Sequence, residues 1–152
     1  MKKDKTNPTL AQTLGQQCIA MRIRLISRAI SRIYDEALRP HGLKASQLSI
    51  LGVISLLGSA EPSEVCRILH LDASTLSRNV NRMRTKGWLD VSSAEDRRAH
   101  RLRLTPEGDR ILAEVFPAWR EAQDKAMSML GEDNAAAIER IAWSLWFKPA
   151  PR

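Results

Sequence analysis

The segment from Pro62 to Gly108 constrains the fold more than any other part of this chain. In order, it has the pattern of a short helix, a tight turn, a helix with a polar face, and two strands on either side of an arginine-rich tip. Pro62 suits the first turn of the short helix, because an N–H at that position would have no partner. Asp72 is a suitable N-cap for the second helix, and Gly87 ends it. This order predicts a winged helix-turn-helix.

Amphipathic or apolar segments flank this unit on both sides. Residues 9–38 carry isoleucines at spacings of three and four, which predicts one long amphipathic first helix. A second helix from Ala45 to Leu57 is nearly apolar on all sides, so we expect it at the centre of the domain. After the strands, Thr105 caps a long helix that Gly131 ends, and a last helix is predicted over 132–147.

The chain is basic, with 24 Lys and Arg against 17 Asp and Glu, a formal net charge of +7 and a sequence pI near 10.0. The excess favours a polyanionic partner without choosing among nucleic acid, a membrane and an acidic protein. The charges are unevenly placed, because residues 105–147 carry eight acidic and four basic side chains. One face is therefore expected to meet phosphate, and another to do something else.

Several classes of function have no support in the sequence. No apolar run approaches the ~20 residues that cross a bilayer, and residues 1–9 have no signal-peptide core, so we expect a cytoplasmic protein without a membrane partner. His41, His70 and His100 are scattered without the spacing of metal ligands, and neither a metal nor a cofactor is expected. Catalytic motifs and phosphate-binding glycine loops are also missing, which argues against an enzyme.

The polar helix that follows Asp72 is the best candidate for contacting DNA. Its apolar residues Leu76, Val80 and Met83 lie three to four apart and should face the core. The open side then carries side chains that hydrogen-bond base edges and phosphates. These are Ser74, Thr75, Ser77, Arg78, Asn81 and Arg82. An ordinary solvated surface is the alternative, and a helix rotated by one residue would present Asn79 in place of Arg78.

The tip between the two strands carries Asp96, Arg97 and Arg98. A hairpin loop does not need arginines to fold, whereas a narrow minor groove attracts them electrostatically. Asp96 could hold one arginine extended through an ion pair and leave the other to reach DNA. A solvated charged turn is the alternative interpretation.

The run from Asp96 to Gly108 resembles the wing signature of the MarR family, the multiple antibiotic resistance regulators. In that family an Asp-x-Arg tip is followed by a strand that ends in Leu-Thr and by a glycine in the next helix. Residues 62–89 are similar to the family's helix-turn-helix, and Gln47 matches the glutamine at the entry to its second helix. The similarity covers nearly the whole chain.

The resemblance implies a homodimer whose first, fifth and sixth helices entwine. Its two recognition helices would enter successive major grooves of a pseudo-palindromic operator, and Arg98 would be the minor-groove arginine of the wing. The residues also favour a dimer independently, because Trp143, Trp146 and Phe147 follow a winged core that is already complete. They need a further surface to bury against, and a partner subunit is favoured over their own domain.

The resemblance also bears on how such a protein would be controlled. It implies a ligand cleft between the dimerisation helices and the winged domain, for which Arg24, Arg28 and Trp119 are candidates. Peroxide-sensing members carry a reactive cysteine near this part of the first helix, activated by tyrosine hydroxyls. Cys18 is offset from that position by about two residues, roughly half a helical turn, and Tyr34 is the only tyrosine. Cys18 is a candidate redox residue, and a buried, inert thiol is the favoured alternative.

The predicted fold class is mainly α with a small β-hairpin wing. We divide the chain into a disordered tail over 1–8, dimerisation helices over 9–42 and 105–148, and a winged helix-turn-helix DNA-binding domain over 43–104. The predicted function is a sequence-specific, dimeric transcriptional regulator, more in keeping with a repressor, that a small-molecule effector or a redox signal releases from DNA. The alternatives are a thiol switch through Cys18 and a non-specific architectural DNA-binding protein.

Overall fold

A computed structural model describes residues 9–93 and 100–146 of the chain. Its helices are α1 (Leu10–Gln17), α2 (Ile19–Leu38), α3 (Ala45–Leu57), α4 (Pro62–Leu69), α5 (Ala73–Thr85), α6 (Pro106–Leu130) and α7 (Glu132–Trp146). Its strands are β1 (Leu89–Ser93) and β2 (His100–Leu104), and a 3₁₀ turn (Arg39–His41) follows α2. The architecture confirms the mainly α fold with one β-hairpin. Within these residues, no helix has the length and hydropathy needed to cross a membrane.

The prediction of one unbroken first helix is wrong, because the helix is interrupted at Cys18. The backbone of Cys18 is extended, with φ −70° and ψ 104°, so α1 ends there and α2 begins at the next residue. The guanidinium of Arg22 donates a hydrogen bond to the carbonyl of Gln16, near the end of α1. The interruption leaves the carbonyl of Gln16 without its usual backbone donor, and the side chain of Arg22 supplies a donor instead. Neither proline nor glycine stands at the break, so no local residue type indicates it.

The core is built around α3, which packs against α2, α4, α6 and β2. Ile50, Leu51 and Ile54 on α3 are fully buried, as the apolar sequence predicts. The end of the helix departs from that expectation, because Leu56 is 76% exposed. Other elements close the core with Leu38, Leu43, Val65, Met83, Leu102 and Val115. The helix-turn-helix and the hairpin therefore share one hydrophobic centre.

The hairpin is attached to the helical body through a third short segment. β1 and β2 pair antiparallel, with Leu89 opposite Leu104 and Val91 opposite Leu102. On the other side of β2, the N–H of Ala60 donates to the carbonyl of Leu102 at 3.0 Å, and the N–H of Leu102 donates back at 2.8 Å. This bridge ties the middle of β2 to the connection between α3 and α4.

The junction between the hairpin and α6 is close-packed. The Oγ1 of Thr105 caps α6 by accepting from the N–H of Gly108 at 3.0 Å, and it donates to the carbonyl of Gly87. The N–H of Thr105 donates to the carbonyl of Trp88 at 3.1 Å. A Cβ on Gly108 would lie 2.1 Å from that same carbonyl oxygen. The Leu-Thr and glycine positions of the sequence motif therefore have a packing role at this junction.

Candidate nucleic-acid interface

The turn between α4 and α5 sets the direction of the polar helix. His70 takes the left-handed conformation, with φ 50°, and the N–H of Leu71 donates back to the carbonyl of Cys66 at 3.0 Å. The chain therefore reverses within three residues, and α5 begins at Ala73. This geometry confirms the predicted helix, turn and helix over 62–86.

Asp72 caps α5 through a compact set of hydrogen bonds. Its carboxylate accepts from the N–H of Thr75 at 2.7 Å, from the hydroxyl of Ser74 at 2.6 Å and from the hydroxyl of Thr75 at 2.7 Å. The Ser74 and Thr75 hydrogen bonds hold the pKa of the Asp72 carboxyl well below its usual range. Because the folded-state pKa is the lower one, the cap stabilises the protein fully above that usual range and is lost as the pH falls.

The cap changes what the first turn of α5 can offer to a ligand. Ser74 and Thr75 are both predicted DNA contacts, yet each hydroxyl proton is donated to Asp72. An ionised carboxylate only accepts, so these hydroxyls are the donors, and only their oxygen lone pairs could accept from a ligand. The oxygen of Thr75 already accepts from the guanidinium of Arg78 at 3.2 Å. Neither hydroxyl can donate to a phosphate while the cap is intact.

The rest of α5 has the two faces that the sequence predicts. Leu76, Val80 and Met83 are buried against the core. The open side carries exposed polar and basic side chains. They are Ser77, Arg78, Asn81 and Arg82, together with Ser74 from the first turn. Asn79 is half-buried and its amide donates to the carbonyl of Thr75 at 3.0 Å, so Arg78 rather than Asn79 faces outward.

Two grooves run along the flanks of α5. On the hairpin side, Ser77, Asn81, Arg84 and His100 help to line a groove of about 520 Å³. On the opposite side lies a groove of about 380 Å³. Its lining residues are Gly42, Lys44, Gln47, Arg82, Thr85 and Lys86. Sequence reasoning missed Lys44 and Lys86, because only the tertiary fold brings the residues that follow α2 beside the end of α5.

The predicted wing tip, Asp96, Arg97 and Arg98, lies outside the described residues. On β2, the Nε of Arg101 donates to the hydroxyl of Ser59 at 3.0 Å, and its Nη1 lies 3.8 Å from the carboxylate of Glu61. Arg101 therefore holds the hairpin to the segment before α4.

The three candidate ligand residues do not meet in one cleft of the protomer. Arg28 lines an open groove of about 770 Å³ between α2 and the turn that follows it. Trp119 lines a separate groove of about 440 Å³ between α3 and α6, where it stacks on Phe116 with ring centroids 5.7 Å apart. Arg24 is not among the residues that line either groove.

The two cysteines lie in different surroundings. Cys18 is half-buried at the break between α1 and α2, not inside a helix as expected. Tyr34 lies about 22 Å further along α2 and donates its hydroxyl to Gln123, so it does not activate Cys18 within a protomer. Cys66 is half-buried in α4, where burial and then the charge of Asp72 raise the pKa of its thiol. No cluster of three or more His, Cys, Asp or Glu suited to a metal occurs in 9–93 or 100–146.

Comparison with known proteins identifies the family. A sequence profile of the MarR family matches residues 41–99. The multiple antibiotic resistance protein MarR of Salmonella typhimurium is 27% identical over 123 residues, which cover 78% of this chain and 84% of that protein. The transcriptional regulator MOSR of M. tuberculosis, solved in complex with DNA, is 32% identical, with a TM-score of 0.73, and the match covers 84% of this chain and 96% of MOSR. The chain belongs to the MarR family.

A mutant MarR of E. coli, solved with operator DNA, shows the same fold. Its TM-score is 0.78 at 21% identity, and the match covers 91% of this chain and 99% of that one. The resemblance stated from the wing motif and the predicted winged helix fold are thereby confirmed. MarR-family proteins are DNA-binding transcriptional regulators, so the prediction of a regulator rather than an enzyme is also confirmed.

Proposed function

We propose that this MarR-family protein is a homodimeric, sequence-specific repressor that acts in the cytoplasm by occupying a pseudo-palindromic operator. One observation carries the proposal: Arg78, Asn81 and Arg82 stand exposed on the side of α5 opposite its buried apolar residues. Arginine can bind guanine and asparagine can bind adenine through paired hydrogen bonds in the major groove. MOSR and a mutant MarR of E. coli, which share this fold, were both solved with DNA, and this supports a DNA-binding function for the chain.

The wing residues complete the proposed contact with DNA. Arg97 and Arg98 would enter the flanking minor groove, with Asp96 holding one of them in place, because a narrow minor groove attracts arginine. A two-fold dimer would place its two copies of α5 about 34 Å apart, one turn of the duplex. Half-sites of that spacing are therefore expected in the operator.

Exposed apolar side chains support the dimer. The proposed dimerisation segments, 9–42 and 105–148, carry isoleucine and leucine side chains on α1, α2 and α7 that their own protomer leaves open. Examples are Leu10 (75% exposed), Ile19 (70%), Leu25 (69%) and Ile141 (60%). Single exposed hydrophobic residues are common, but a series along two long helices marks an interaction surface. We propose that a second copy of the chain covers this surface, because a two-fold operator needs two recognition helices.

Replacing Arg78 with alanine is expected to weaken operator binding by about 1–3 kcal/mol, with the loss confined to one base pair of each half-site. Binding of a library of single-base operator variants measures this. Arg78→Lys is the matched control, because lysine keeps the charge but loses the paired hydrogen bonds to guanine. It should lose discrimination at the same position and keep most of the affinity. An architectural protein would instead weaken evenly across all sequences, and that result would refute the proposed base reading.

Release from DNA is proposed to follow a small-molecule or redox signal. An effector needs only to bind one spacing of the two reading helices better than the other, and a difference of a few kcal/mol empties an operator. Arg28 in the groove beside α2, Trp119 in the groove beside α6, and Arg24 on α2 are the candidate contacts in this chain.

The alternative of a thiol switch depends on Cys18. This residue is half-buried, and its extended backbone separates α1 from α2. Under this alternative, oxidation of the thiol would move the two helices and release DNA. Cys18→Ser is therefore expected to abolish oxidant-induced release while leaving operator affinity unchanged, as measured by fluorescence anisotropy with and without peroxide. Cys66→Ser is the matched control. If Cys18→Ser dissociates under oxidant as the parent does, the thiol switch through Cys18 is excluded.

A further inference from the structure

The groove on the flank of α5 away from the hairpin forms a basic surface that shares only Arg82 with the contacts proposed above. We call its three cationic residues, Lys44, Arg82 and Lys86, the basic shoulder. All three are exposed, and none of the six residues that line the groove is acidic. A basic cluster of this kind, with no acidic residue lining the same groove, attracts an anion, and its position beside α5 limits which anion can reach it.

The dimensions of a DNA duplex determine which of its groups would lie beside the basic shoulder. The major groove is about 12 Å wide and an α-helix with its side chains is about 10–12 Å across, so each flank of an inserted helix lies close to a phosphate strand. On α5, Arg78 faces outward and Arg82 follows one turn later on the shoulder side. The hairpin lies on the other flank, with His100 and Val91 lining the groove there.

Lys86 fixes the geometry of the shoulder. Its ammonium donates to the carbonyl of Gly42 and lies 4.4 Å from the centre of the Trp88 ring. A Cβ on Gly42 would come within 3.1 Å of the same ammonium. Lys86 thus joins the end of α5 to the turn that carries Lys44. Its ammonium is engaged by the Gly42 carbonyl and the Trp88 ring and is not directed toward a ligand. Lys44 and Arg82 are left as the side chains that can reach a ligand.

We propose that Lys44 and Arg82 bind phosphates of the DNA strand that borders the major groove on the side away from the wing, and that Lys86 positions them. This inference rests on the proposed function and extends it from reading bases to anchoring the backbone. Contacts to phosphate fix the register of a protein on the duplex but carry no sequence information. The shoulder therefore contributes affinity and orientation without changing which bases are preferred.

Salt dependence of operator binding tests the proposal. The slope of log K against log salt becomes more negative by about 0.9 for each phosphate neutralised. Lys44→Ala removes one such contact from each of the two protomers, so the slope should become less negative by about two. Lys44→Arg should keep the slope of the parent, because it keeps the charge. Lys125→Ala removes another exposed lysine, on α6, and is the matched control, with an unchanged slope expected. The bases selected from a random duplex pool should be the same for all four proteins.

Two results separate this inference from the proposed function. If the parent enriches an inverted repeat and Lys44→Ala keeps the parent's salt slope, Lys44 does not bind phosphate and only this inference fails. If the parent enriches no sequence at all, the proposed function itself fails. A change in the selected bases with Lys44→Ala would also overturn the inference, because it would show a base contact. Equal thermal midpoints for parent and Lys44→Ala show that the comparison is between folded proteins.

Discussion

Gly108→Ala is expected to lower the free energy of unfolding by about 3 kcal/mol, the upper part of the usual range for overpacking. The added Cβ would lie 2.1 Å from the carbonyl oxygen of Trp88 and 3.0 Å from a methyl group of Leu104. The oxygen belongs to the backbone and is held by the N–H of Thr105, so it cannot move away without loss of that hydrogen bond. The strain therefore falls on the junction between the hairpin and α6.

Urea unfolding followed by circular dichroism measures the loss. Gly52→Ala is the matched control, because Gly52 is also helical and a Cβ there meets nothing within 4 Å. Alanine at that position should leave stability unchanged or raise it by up to about 1 kcal/mol, since glycine is a poor helix former. A Gly108→Ala protein as stable as the parent would show that the junction can open without cost, and the packing argument would be wrong.

The double substitution Ile19→Asp, Ile23→Asp is expected to produce a folded monomer that binds the full operator about 10²- to 10⁴-fold more weakly. Both isoleucines lie on α2 and are 70% and 57% exposed within the protomer, so a carboxylate there meets water in the monomer. In the proposed dimer it would be buried without a partner, which is strongly unfavourable. Loss of the dimer removes the second reading helix, and only the affinity for one half-site remains.

Light scattering with size-exclusion chromatography gives the mass, and binding to full operators and to isolated half-sites separates the two effects. Leu56→Asp is the matched control, because Leu56 is 76% exposed but lies on α3, outside the proposed interface. That variant should stay dimeric with the operator affinity of the parent. If Ile19→Asp, Ile23→Asp stays dimeric, the first two helices are not the interface that we propose.

Local signals explain which parts of the fold could be predicted from the sequence. Asp72, Thr105 and Gly131 mark helix ends because a cap acts through bonds to its nearest neighbours, and all three boundaries are where the sequence placed them. The apolar spacing of α5 likewise predicted its buried side. Periodicity says which face of a helix is apolar, but it does not report continuity. The break at Cys18 was therefore missed.

Contacts between distant segments explain what the sequence could not reveal. The ammonium of Lys86 meets the carbonyl of Gly42 across 44 residues of chain, so no local pattern points to the basic shoulder. The separate grooves of Arg28 and Trp119 depend in the same way on how α2, α3 and α6 pack. Residues that only the tertiary fold brings together cannot be grouped from the sequence alone.

The hydrogen bonds around Asp72 have a consequence for how a base pair of the operator is recognised. With its proton directed at the carboxylate, the hydroxyl of Ser74 can present only an acceptor oxygen to a base pair, and the oxygen of Thr75 already accepts from Arg78. In the major groove, the exocyclic amino groups of adenine and cytosine are the donors that match. Every base pair carries one such amino group, on one strand or the other. A base contact made by the Ser74 hydroxyl would therefore discriminate which strand holds the amino base, and so the orientation of a base pair.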